Sequence, residues 1–171
     1  MQAQRYTLPA PEWIRLKTWL PSLLLLPVCI HFLLRHGDDP VFNVLNLLIH
    51  EAGHLWFFIF GDFFHAAGGT LMQVLLPAAL ILHFRRYRVR LGMQIAFLWL
   101  GQNFLDISVY AADARSLQLV LLGNRKHDWV YLLNRFGWLE YDQAFAFGFC
   151  FLAMLSFIAL LVLPAYWAHE R

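Results

Sequence analysis

Apolar residues fill most of this chain in long runs, and polar or breaking residues interrupt them at short intervals. A membrane-crossing helix needs about 20 mostly apolar residues. Five stretches meet that need, at about 19–34, 41–60, 69–84, 91–112 and 144–167. The first carries Pro21 and Pro27, which membrane helices tolerate better than soluble ones. Gly37-Asp38-Asp39-Pro40 divides the first from the second, and Arg85, Arg86, Arg88 and Arg90 divide the third from the fourth. Between the fourth and fifth lies the stretch from Asp113 to Gln143, with short apolar pieces at 117–122 and 129–133. Flanked by charge, these pieces read as interfacial helices lying on or dipping into a bilayer. The pattern predicts an all-α fold, a polytopic membrane helix bundle of about five transmembrane helices with interfacial helices in the fourth loop. No segment repeats at a fixed period, which argues against a solenoid.

Composition supports that solvent assignment. The chain has 171 residues, 60% hydrophobic and 14% charged, where a soluble domain carries about a quarter charged residues. One integral membrane domain over 1–171 accounts for the whole length. The net charge of +2 and the lack of a basic stripe with interleaved aromatics exclude a nucleic-acid partner. The partners expected are the lipid bilayer and either a membrane-protein substrate or partner subunits. Cys29 and Cys150 sit inside apolar runs and read as small buried hydrophobes. The amino-terminal run lacks a small-residue cleavage site and is expected to stay as a membrane segment. Arg85 to Arg90 favour a cytoplasmic third loop. With five spans this places the amino terminus outside, whereas Arg5, Arg15 and Lys17 favour an inside amino terminus.

Chemistry concentrates in His50-Glu51-Ala52-Gly53-His54, within the second apolar run. Residues four apart on a helix share a face, so both imidazoles can reach one metal ion. Glu51 projects to the side, where it can hold or deprotonate the attacking water. Ionisable groups at mid-bilayer cost about 2.5–3.5 kcal/mol each on insertion scales, and a bound dication offsets that cost. Asn43 and Asn46 extend the same polar stripe. The fourth run carries a matching face of Gln102, Asn103, Asp106, Tyr110 and Asp113. Catalytic zinc usually takes three protein ligands, so the His pair lacks one. Asp106 is the favoured third ligand. If the second and fourth runs are parallel, His54 and Asp106 lie at similar depths of about 20 and 22 Å. His127, Asp128 and Asp113 stay open as alternatives, the first two on a segment that could fold back over the site.

These residues resemble the site-2 protease family of intramembrane zinc metalloproteases. That family has a Gly-rich segment followed by a polar amide, which Gly68-Gly69 and Gln73 resemble. It also has a later helix whose Asn-to-Asp pattern supplies the third ligand, which Asn103 and Asp106 resemble. The resemblance spans about Asn46 to Asp106. It implies one Zn2+ ion, Glu51 as general base then acid, and amide donors from Asn103 or Gln73 for the oxyanion. It implies cleavage of a membrane-embedded or membrane-proximal peptide bond, in the bacterial inner (plasma) membrane. Gly68-Gly69 would then form either an extended edge for the unwound substrate or a tight turn. The alternative is a non-proteolytic, protease-like subunit of a larger complex with a structural or vestigial metal site. A third reading is a metal-dependent hydrolase of a lipid or small molecule.

Overall fold

The computed structural model of the chain describes residues 12–36, 38–119 and 127–169, and every regular element in them is helical. The expectations for the amino-terminal residues and for 120–122 of the first interfacial piece lie outside these residues. Helix α1 spans Glu12–Leu34, α2 Pro40–Phe57, α3 Asp62–Arg86, α4 Arg90–Ala112, α5 Asp128–Asn134 and α6 Asp142–His169. Four of these regions are long and apolar enough to cross a membrane: Lys17–Leu34, Asp62–Arg86, Arg90–Ala112 and Leu139–Trp167. Their outer surface is apolar, with Leu24 66% and Phe147 71% exposed. Side chains this sticky need lipid around them.

The expected span at 41–60 is not among the four. Its helix, α2, carries Asn43, Asn46, His50, Glu51 and His54 in 18 residues, which dilutes the apolar run. It starts cleanly because Pro40 sits in the first turn and the Asp39 carboxylate accepts hydrogen bonds from the amides of Val41 and Phe42. It runs into a tight turn at Phe58–Phe60 and stops at Gly61, whose φ of 93° suits glycine. The third run also begins earlier than the hydropathy pattern suggested, because α3 starts at Asp62. Gly68 and Gly69 are therefore inside a helix, and neither the extended edge nor the tight turn forms.

Helix α4 is the hub. It runs antiparallel to α6: Ser156 donates to the Phe97 carbonyl at 2.8 Å, and at the far end Arg115 grips Asp142 with two bonds of 2.7 and 2.8 Å. It is antiparallel to α3 as well, since Phe84 packs at Gly92 and Gln73 reaches Asn103 and Asp106. Helix α1 instead runs parallel to α4. Gln94 near the start of α4 donates to Ser22 at 2.8 Å. Ten residues further along α1, Phe32 meets Phe42, one turn before the Asn46 that donates to Gln102. So α1 ends, and α3 begins, at the same end of the bundle, and α2 joins them without passing through it.

Candidate metal centre

Two glycines let α2 approach α3 closely. A Cβ on Gly53 would overlap the Gly68 carbonyl oxygen, and one on Gly68 would lie 2.6 Å from the Gly53 carbonyl. Small residues at a crossing allow backbones to meet in membranes. Next to this crossing the imidazole of His50 lies directly over Gly69, where any Cβ would strike the ring.

The histidine tautomers are fixed by their neighbours. His54 Nδ1 sits 2.7 Å from the His65 carbonyl, which only accepts, so Nδ1 carries the proton and Nε2 keeps its lone pair. For His50 the reasoning takes one more step. The Gln73 amide nitrogen donates to Asp106 Oδ2 at 2.6 Å. Its Oε1 therefore faces His50 Nδ1, 3.0 Å away, and takes the proton from that nitrogen. Both Nε2 atoms then point at one oxygen, Asp128 Oδ2, at 3.1 and 3.2 Å. Three acceptors converge, and the ligand atoms of His50, His54 and Asp128 lie within 4.8 Å of one another. Two ligands held about 2.0–2.2 Å from a tetrahedral zinc lie roughly 3.3–3.6 Å apart. The donor set fits such an ion, and the two N···O separations come close to that spacing. Each imidazole's outer nitrogen is already bonded, the second layer that metal-binding histidines need.

Asp128 is the first residue of α5. The Tyr110 hydroxyl donates to its Oδ2 at 3.2 Å and accepts from its amide at 3.1 Å. The neighbouring His127 ring is buried, stacked 4.3 Å from Tyr110, with Nε2 3.6 Å from Asp113. Burial pushes His127 down, towards its neutral form. Asp113 is occupied in turning the chain after α4, accepting from Ser116 and from the amides of Gln118 and Leu119.

The carboxylate beside the His pair is thus the alternative, Asp128, and the favoured Asp106 stands one residue back, behind Gln73. Asp106 lines the same cavity, but its Oδ2 accepts from the Gln73 amide, whereas α5 brings Asp128 Oδ2 up to both imidazoles. Asn103 and Gln73 are not placed as oxyanion donors. The Asn103 amide donates to the Trp99 carbonyl, and the Gln73 amide is committed to Asp106. Glu51 is half-buried and lines the same cavity of about 1000 Å³ as His50, His54 and Asp128. Two contributors were not assigned their roles from the sequence. The part of His65 that matters is its backbone carbonyl, and Tyr110 showed only as a polar position on α4.

Gln73→Leu should keep the fold, since the shape is similar, but release the His50 ring. If the centre takes up added Zn2+, the affinity is expected to fall about 10–100-fold in the variant, read by competition with a chelating dye. Unchanged affinity would show that the Gln73 bond does not orient His50.

No family model, curated protein or solved structure matches this chain.

Proposed function

We propose that this protein is a zinc-dependent membrane protease, with His50, His54 and Asp128 as metal ligands and Glu51 as the proton carrier. One observation carries the reading: two imidazole lone pairs, with tautomers set from behind, converge on one carboxylate oxygen. The resemblance of His50-Glu51-x-x-His54 to the site-2 protease family supplies the reaction class. The reading departs from that family in taking its third ligand from α5 and not from α4.

A bound zinc ion would supply Lewis-acid activation of water and of the scissile carbonyl. The protein's own groups do the rest. Glu51, beside His50 in sequence and facing the cavity, accepts the proton of the attacking water and returns it to the leaving amine. Gln73 and the His65 carbonyl keep the rings from turning. Tyr110 holds the Asp128 carboxylate and its backbone amide together, which fixes the start of α5 over the site.

Purified protein should hold one zinc per chain by elemental analysis. Glu51→Gln should retain that zinc and lose about 10²–10⁴-fold in peptide hydrolysis. A metal-free wild type would refute the centre. Zinc-loaded wild type and Glu51→Gln with equal effect in the host would favour the non-catalytic subunit.

A further inference from the structure

We propose that the centre opens to the non-cytoplasmic side of the membrane and takes an extended peptide segment at that interface, not a helix at mid-bilayer. The substrate part rests on the protease reading above; the sidedness does not.

The helix directions supply the first argument. Because α1 is parallel to α4, the beginning of α1 and the turn between α3 and α4 share one end of the bundle. Among the described residues that end holds Arg15, Lys17, Arg85, Arg86, Arg88 and Arg90, against Arg35, Arg115 and Arg135 at the other. Lys and Arg concentrate on the cytoplasmic side. The opposing charge signals of a five-span reading become one signal when four helices cross and α2 does not. The cavity opens at the opposite end, where His36 and Asp38 after α1 and Asp62 at the start of α3 line it.

Depth supplies the second argument. His54 is bonded to His65, three residues into α3, and Tyr110, which holds Asp128, is two residues from the end of α4. At 1.5 Å per residue these positions lie about 3–5 Å from the helix ends, and Gly69, under the His50 ring, about 10 Å in. Mid-bilayer would be about 15 Å in. Asp128 itself is on α5, outside the four candidate spans. A peptide meeting the centre at this depth is already beside water, so its backbone need not break helical hydrogen bonds in hydrocarbon. It enters as an extended chain whose carbonyls are free to approach.

Sidedness is tested by single cysteines in a Cys29→Ala, Cys150→Ala background. Asp62→Cys and Leu119→Cys report on the cavity mouth, and Arg86→Cys on the opposite turn. A membrane-impermeant maleimide should label the first two in intact cells and the third only after permeabilisation. The reverse pattern, or labelling of all three in intact cells, would overturn the sidedness. In zinc-loaded proteoliposomes, one random peptide mixture is offered free, tethered just outside a single transmembrane helix, or embedded at the middle of that helix. Cleavage of the free or tethered form, read by mass spectrometry, supports the interface substrate and tells which source is used. Cleavage of the embedded form alone overturns it. No cleavage in any form refutes the protease reading and the substrate with it, while the labelling still decides the side.

Discussion

On the proposed reading, Asp128→Ala is expected to empty the centre of zinc and reduce hydrolysis to background. The substitution removes the one oxygen at which both imidazoles aim, at 3.1 and 3.2 Å. Two histidines alone leave zinc short of its usual three protein ligands. The loss should exceed the 10–100-fold that removal of an outer-layer partner costs. Asp106→Ala is the informative comparison. Asp106 touches Gln73 and not the metal-facing nitrogens, so its loss should fall within that smaller range. Zinc titration of both variants, with helical content checked by circular dichroism, ranks the two carboxylates. A larger loss for Asp106→Ala would return the third-ligand role to α4.

Gly53→Ala is expected to cause the largest loss of stability. Its new methyl would overlap the Gly68 carbonyl, a backbone atom that moves only if a whole helix does. Overpacking a core usually costs about 1–3 kcal/mol, and a backbone obstruction belongs at or above the top of that range. Gly148→Ala on α6 is the control, because nothing lies within 4 Å of its would-be Cβ. Alanine is the better helix former by up to about 1 kcal/mol, so that variant should be neutral or slightly stabilised. Thermal unfolding in detergent reads both. Equal midpoints for the two would show that α2 and α3 do not meet as described. Gly69→Ala should differ from each, since its methyl strikes the His50 ring and not backbone. It should lose zinc affinity with a smaller loss of stability.

Much of the fold was legible. The apolar runs over 91–112 and 144–167 correspond to α4 and α6 nearly end to end, because length and hydropathy are local properties that lipid reads directly. The piece at 129–133 became α5. The run at 41–60 is not among the four candidate spans, because continuous apolar character does not say whether a helix crosses. Of its polar residues Asn46, His50 and His54 are buried, and together they bring the mean hydropathy of α2 below that of the four candidate spans. Gly68-Gly69 misled for a different reason. A glycine pair signals either a turn or a close approach, and only the neighbouring helix shows which.

The sequence by itself determined a helical, lipid-facing chain and a pair of histidines one turn apart beside a carboxylate, since helical period and hydropathy follow from residue order. Only the tertiary structure decided which distant acid joins them. Asp106, Asp113 and Asp128 are chemically alike, and what separates them is where α5 folds and what each carboxylate already binds. The same holds for the direction of α1 relative to α4, which rests on contacts such as Ser22 with Gln94 across 72 positions of chain.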